Sequence, residues 1–68
     1  MNRKSVTSKR ISSIGYENST LEVEFRNRSI YQFSPVPEMI YLSFLNAPSK
    51  GSFLSTQIEG NYFYRRVC

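Results

Sequence analysis

Residues 29–47 read SIYQFSPVPEMIYLSFLNA. The hydrophobic period of this stretch changes in its middle. Tyr31 and Phe33 alternate with polar residues, which is typical of a strand with one buried face. Ile40 and Phe44 recur four residues apart, which is typical of a helix with one apolar side. The stretch is therefore predicted to join a sheet to the helix that covers it.

The helix is predicted to begin around Pro37, because proline lacks the N–H that would have no partner at the first helical position. Glu38 in the first turn complements the positive end of the helix dipole. Pro48 restricts the residue before it and is expected to end the helix at Asn46–Ala47. The apolar stripe of the helix comprises Val36, Ile40, Phe44 and Ala47. It is expected to be widened by Met39 together with Tyr41, Leu42 or Leu45.

Three strands are predicted before the helix. The clearest spans residues 20–26, where Leu21, Val23 and Phe25 alternate with charged residues. A two-residue turn at Asn27-Arg28 is predicted to lead into the returning strand, Ser29–Ser34. Residues 9–16 form a weaker first strand, in which a bulge or an early bend would bring two isoleucines to one face.

After the helix, residues 49–51 are predicted to turn and residues 52–60 to form a loop with one helical turn. Residues 62–67 are predicted to be the last strand. The expected fold class is α+β, an antiparallel meander sheet in the order βββ-α-β packed on one main helix. Residues 1–8 are expected to be a flexible basic arm, and residues 9–68 the folded domain.

The length and the cysteine content restrict the class of protein. Sixty-eight residues form one small domain, whose ten Tyr and Phe side chains are expected to be mainly core. Cys68 is the single cysteine, so no disulfide forms within the chain, and a lone thiol favours the cytoplasm. No apolar run approaches the length of a membrane span, and no signal peptide is indicated.

The residue inventory argues against an enzyme. The chain has no histidine and no aspartate, which removes the usual base and its orienting partner. Glu22 and Glu24 are interpreted as a solvated strand face, and Cys68 at the chain end has no base nearby in sequence. No glycine lies in a phosphate-binding motif. We therefore expect a non-catalytic protein with no cofactor and no metal.

The charge pattern favours contact with a polyanion. The net charge is +4, and the basic residues concentrate at the two ends of the chain. A single helix covers one sheet face, so the other face is predicted to be open. On such a face, an aromatic ring beside arginines is suited to binding single-stranded nucleic acid, by stacking on its bases and contacting its phosphates. The predicted nucleic-acid-binding residues are Arg65, Arg66, Arg26, Arg28, Phe63 and Tyr64.

A protein partner is the alternative. The predicted open face also carries Ile30, and its glutamates suit a short contact rather than a long polyanion track. This pattern is compatible with docking on another protein, as in a phage or mobile-element accessory protein. Self-association through the same face fits equally well.

The order and spacing of short motifs resemble the KTSC domain over nearly the whole chain from Ser8 onward. These motifs are Ile-Gly-Tyr (14–16), Leu-x-Val-x-Phe (21–25), Tyr-x-Phe (31–33), Val-Pro (36–37), Tyr-x-x-Phe-Leu-x-Ala (41–47), Ser-x-Gly-x-Phe (49–53), Ile58 and Tyr-x-Tyr-Arg (62–65). The family occurs at the C-terminus of some lysyl-tRNA synthetases and as short stand-alone bacterial and phage-type proteins. The resemblance implies the same small α+β fold, and its synthetase context implies RNA binding.

Two positions depart from the family pattern. The central Tyr-x-Tyr of the family is here Tyr31-Gln32-Phe33, so one phenolic hydroxyl is missing. Ser55 stands where the family often has asparagine. The resemblance implies no catalytic residues, which agrees with the interpretation as a binding module.

Overall fold

The computed structural model describes residues 1–68 and shows a five-stranded antiparallel sheet covered by two helical segments. The sheet order is β1-β2-β3-β4-β5, a meander in which each strand pairs with its neighbours in sequence. The predicted α+β meander is therefore confirmed, with one additional strand and one additional helix. The strands are β1 (Arg3–Ser5), β2 (Ile11–Glu17), β3 (Thr20–Phe25), β4 (Ile30–Ser34) and β5 (Phe63–Arg66); the helices are α1 (Glu38–Asn46) and α2 (Lys50–Phe53).

The predicted bulge lies at the start of β2. The register between β2 and β3 shifts between Ile11 and Ser13, so that Ile11 pairs with Phe25 and Ile14 with Val23. The extra residue brings both isoleucines to the helix-covered face, where both are fully buried.

The β3–β4 turn differs from the two-residue turn that the sequence predicted. Phe25 N donates to Ser29 O at 2.9 Å and Arg28 N donates to Phe25 O at 2.9 Å, which closes a three-residue loop. Arg28, not Asn27, takes the left-handed conformation, with φ of 75°. The Asn27 side chain instead accepts from the backbone N–H of Ser29 at 3.0 Å, and this bond fixes the asparagine inside the loop.

Helix α1 begins one residue later than predicted, because Pro37 has extended backbone angles and caps the helix rather than entering it. The ring of Phe44 is fully buried beneath α1 and stacks on Phe53 at a centroid distance of 5.4 Å. The expected widening of the apolar stripe is confirmed at Tyr41 and Leu45, which are partly buried against the core, and is wrong at Met39. Met39 is 76% exposed, and Leu42, one of the three alternatives, is also exposed.

The segment 52–60, predicted as a loop with one helical turn, is helical as far as Ile58, and the helix begins at Lys50 within the predicted turn 49–51. Helix α2 begins where Ser49 Oγ accepts from Ser52 N at 3.3 Å, and it continues as a π-helical turn, Leu54–Ile58. Leu54 and Ile58 are four residues apart and fully buried, and this burial stabilises helix despite the serines around them. Neither α1 nor α2 is long and apolar enough to cross a membrane.

The segment expected to be a flexible arm contributes β1 to the sheet. Arg3 pairs with Gly15 and Ser5 with Ser13 in antiparallel register. The Arg3 guanidinium contacts the Glu22 carboxylate, and its Nε donates to Ser13 Oγ at 3.0 Å. These polar contacts hold a strand that has no apolar alternation, which is why the hydrophobic pattern did not reveal it.

Candidate nucleic-acid interface

The strand order gathers cationic side chains at one end of the sheet. Arg26 N donates to Arg10 O at 2.9 Å, so the start of β2 and the end of β3 are adjacent. Ile30 N donates to Cys68 O at 3.4 Å, which brings the end of the chain beside the start of β4. We call this cluster the basic end: Lys9, Arg10, Arg26, Arg28 and Arg66.

A groove opens beside the basic end on the helix-covered face. Helices α1 and α2 cover the sheet incompletely, and the part nearest β5 is left as a concavity of about 500 Å³. We call it the aromatic groove, and its apolar wall is formed by Phe25, Tyr31, Phe33 and Tyr64.

The four rings form a connected series. Phe25 meets Tyr31 edge-on at 5.7 Å between centroids, and Tyr31 lies 5.8 Å from Tyr64. Phe33 lies 5.9 Å from Tyr64 on the other side. Tyr64 is 64% exposed, because it stands on the edge strand β5 with no helix above it. The series therefore presents at least one open ring to a ligand.

The rim of the aromatic groove is polar. Asn27 and Ser29 line it from the β3–β4 loop, and Glu59 with Gly60 line it from the residues that follow the π-helical turn. Ser29 is buried, and its hydroxyl donates to Asn27 Oδ1 at 2.6 Å. Glu59 is exposed and forms no ion pair. The rim thus offers both hydrogen-bond donors and hydrogen-bond acceptors beside the apolar wall of the groove.

The predicted binding residues are divided between the two sheet faces. Tyr64 and Arg66 lie on the helix-covered face, where they pair with Phe33 and Tyr31 respectively. The alternation of a strand places Phe63 and Arg65 on the opposite face. Phe63 is 84% exposed there, which agrees with the predicted open face. The six residues therefore do not form one site.

The opposite face carries a bonded row of polar side chains. Glu22 accepts from Gln32 Nε2 at 2.8 Å and from the Arg3 guanidinium, and Arg65 approaches Gln32 Oε1 at 3.5 Å. Glu24 accepts from Ser13 Oγ at 2.8 Å. Hydrogen bonds from Gln32 and Arg3, together with the charge of Arg3, lower the pKa of Glu22, although its burial opposes the shift. The two glutamates are thus engaged within the sheet.

Three arginines of the basic end, Arg10, Arg26 and Arg66, make internal hydrogen bonds. Arg26 Nε donates to Ser8 O at 3.1 Å, so this side chain fastens the segment before β2 to β3. Arg66 Nε donates to Cys68 O at 2.8 Å. A guanidinium has five N–H donors, and these bonds leave several of them for a ligand. Arg28, at the exposed tip of its loop, forms no side-chain hydrogen bond or ion pair.

Sequence reasoning missed Lys9 and Arg10 as part of the cluster, and Phe25 and Tyr31 as groove residues. A signal for the first pair was present in the predicted meander. A hairpin that turns at residues 17–19 brings residue 10 opposite residue 26. No comparable signal existed for the groove, because it depends on how far the helices extend over the sheet.

Comparison with known proteins agrees with this architecture. A family model of the KTSC domain matches residues 7–62. The crystal structure of the KTSC domain protein YPO2434 from Yersinia pestis superposes with a TM-score of 0.95 at 40% sequence identity, covering 98% of this chain and 97% of that one. No curated protein sequence matches the chain. The family match and the structural likeness over nearly the full length of both chains establish that this protein belongs to the KTSC domain family.

Proposed function

We propose that this KTSC domain protein is a non-enzymatic module that binds single-stranded RNA. A base stacks in the aromatic groove, and the adjoining phosphates contact the basic end. The observation that carries the proposal is the position of Tyr64, a ring 64% exposed within a series of four aromatic side chains beside a cluster of five cations. Stacking of a base on an open aromatic ring contributes about 1–3 kcal/mol.

The arrangement of charge supports an orientation for the strand. Glu59 on the groove rim repels phosphate but accepts a hydrogen bond from the amino group of a base. Arg28 and Arg66 attract phosphate at the adjacent end of the sheet. Base and phosphate are therefore drawn to neighbouring but different places, which suits a single strand whose bases are turned out.

The glutamates of β3 do not oppose this proposal. They lie on the other face from the aromatic groove, and Arg3, Ser13 and Gln32 already contact their carboxylates. RNA is favoured over DNA because KTSC domains occur at the C-terminus of some lysyl-tRNA synthetases. The single exposed cysteine, Cys68, supports a reducing cytoplasmic location.

A salt titration of RNA binding tests the proposal. The affinity of a fluorescent single-stranded RNA octamer is measured by anisotropy between 50 and 200 mM salt. If three phosphates are neutralised, the slope of log affinity against log salt concentration is expected to be about −2, since each phosphate contributes about −0.7 for single strands. Arg66→Gln is expected to reduce the slope, whereas Lys4→Gln, an equal loss of charge on β1, leaves it unchanged. Absence of binding at 50 mM salt contradicts the proposal.

A protein partner is the second candidate, and the exposure of Phe63 favours it. This ring is 84% exposed on the opposite face, where Ile30 and Val67 also present apolar surface. Apolar docking on that face is much less sensitive to salt than phosphate contact. Self-association is tested by sedimentation at increasing protein concentration, with Phe63→Ala expected to abolish any dimer formed through this face.

A further inference from the structure

A second concavity borders the π-helical turn through Ser55 and Thr56. It measures about 640 Å³ and is formed between the segment before β2 and the start of α2. Three cationic side chains and six hydroxyl side chains line it, and no acidic or large apolar side chain does. We call it the polar pocket, and its cations are Lys9, Arg10 and Lys50.

Two of these cations are held in place by the fold. Arg10 donates from its guanidinium to Ser55 Oγ at 3.0 Å, and Lys50 Nζ donates to Ala47 O at 2.9 Å. The stem of Arg10 passes over Gly51, where an added Cβ would lie 3.4 Å from Arg10 Cδ. Each bond leaves further N–H donors on the same group. Positive charge is thus fixed on two walls of the pocket.

The composition of the lining selects a class of ligand. Pockets for drug-like molecules are lined mainly by hydrophobic and aromatic side chains, and none of the side chains that line this one is aromatic or large and aliphatic. Cations, hydroxyl donors and the absence of carboxylates suit a compact oxyanion, and phosphate accepts several hydrogen bonds at once. We propose that the polar pocket binds a phosphate group through Lys9, Arg10 and Lys50.

The position of the pocket connects it with the aromatic groove. Ser55, within the π-helical turn, lines the polar pocket, and Glu59, the residue that follows the turn, lines the groove. The two concavities thus border neighbouring parts of one short segment, residues 55–56 and residues 59–60. The phosphate site is inferred from its own lining residues, so it does not depend on the proposed RNA function.

Titration of the full chain with inorganic phosphate tests the site. Amide resonances of Gly51, Ser52 and Ser55 are followed by NMR at constant pH and ionic strength, with sodium chloride as the reference. We expect saturable shifts at these amides. Lys9→Gln removes an exposed charge that forms no internal bond, so the fold is retained, and binding is expected to weaken roughly fivefold. Arg10→Gln is expected to weaken it further.

Lys4→Gln is the matched control, because it removes the same charge from β1 outside the polar pocket. Phosphate affinity in this variant should equal that of the unmodified protein. The proposed site is contradicted if the shifts do not saturate. It is also contradicted if Lys9→Gln and Arg10→Gln bind phosphate with the same dissociation constant as the unmodified protein.

The source of the phosphate is distinguished with two RNA octamers of one sequence, one with a 5′-phosphate and one with a 5′-hydroxyl. Tighter binding of the first, with shifts at Gly51, assigns the pocket to a terminal phosphate. Equal binding with shifts at Gly51 assigns it to a backbone phosphate. Saturation by inorganic phosphate with no binding of either octamer assigns it to a soluble phosphate compound, and contradicts the proposed RNA function alone.

Discussion

The side chain of Arg3 lies directly over Gly15. A Cβ built on Gly15 would come within 2.9 Å of Arg3 Cγ and 3.0 Å of the carbonyl oxygen of Asn2. Because Arg3 on β1 pairs with Gly15 on β2, its guanidinium has to pass over this position to reach Glu22 on β3. The absence of a side chain at residue 15 is therefore what allows an ion pair between β1 and β3 across β2.

Gly15→Ala is expected to destabilise the protein by about 1–3 kcal/mol, because the new methyl group displaces β1 and breaks the contact with Glu22. Urea unfolding measures the change. Gly51→Ala is the matched control, since its Cβ meets only a flexible side chain at 3.4 Å and alanine favours the helix. It is expected to be neutral or slightly stabilising. Equal stability of both variants contradicts the role assigned to Gly15.

Acidification is expected to weaken the fold through Glu22. Its pKa in the folded state lies below the ordinary value of 4.5, so its ionised form stabilises the fold above about pH 4.5. That contribution is lost as the pH falls through the lower, folded-state pKa. Glu22→Gln should reduce stability at pH 7 by about 1–2 kcal/mol and flatten its decline between pH 5 and 3, about the range around the carboxylate pKa.

The control for this experiment is Glu59→Gln, at an exposed carboxylate that forms no ion pair. Urea midpoints across the same pH series should follow those of the unmodified protein. If Glu22→Gln leaves the pH profile of stability unchanged, the bonded row on the open face does not stabilise the protein.

Arg28→Gly should change stability and RNA binding in opposite directions. Arg28 has φ of 75°, a conformation that glycine adopts without the steric penalty of a side chain. We expect a gain of about 0.5 kcal/mol in urea unfolding, together with a salt slope for RNA that is smaller in magnitude by about 0.7. Arg28→Lys keeps the charge and the steric penalty of a side chain at this φ, so it should change neither the stability nor the salt dependence of RNA binding. Loss of both stability and binding in Arg28→Gly would contradict the assignment.

The strongly alternating parts of the chain revealed the fold, because burial on one face determines their period. Leu21 and Val23 marked β3, and the uneven spacing of Ile11 and Ile14 indicated the bulge. β1 was missed because arginine and serine contacts hold it instead of apolar burial. Helix α2 was missed because Leu54 and Ile58 lie among residues with weak helix propensity.

The candidate site was predicted only in part, because it depends on contacts between distant segments. Arg26, Arg28 and Arg66 were identified from their charge, and the meander explains their convergence. The separation of Tyr64 from Phe63 follows from strand alternation, yet only the extent of α1 and α2 shows which of the two rings borders a groove. Pocket residues such as Lys50 come from the helix that the sequence did not predict.

Tyr64→Ala and Phe63→Ala compare two neighbouring aromatic residues on opposite sheet faces, and their RNA affinities test the proposed interface most directly. Both side chains are largely exposed, so neither truncation is expected to unfold the protein. Anisotropy with a single-stranded RNA octamer at 50 mM salt should show about tenfold weaker binding for Tyr64→Ala and less than about twofold weaker binding for Phe63→Ala. Weaker binding of Phe63→Ala with unchanged binding of Tyr64→Ala would contradict the account.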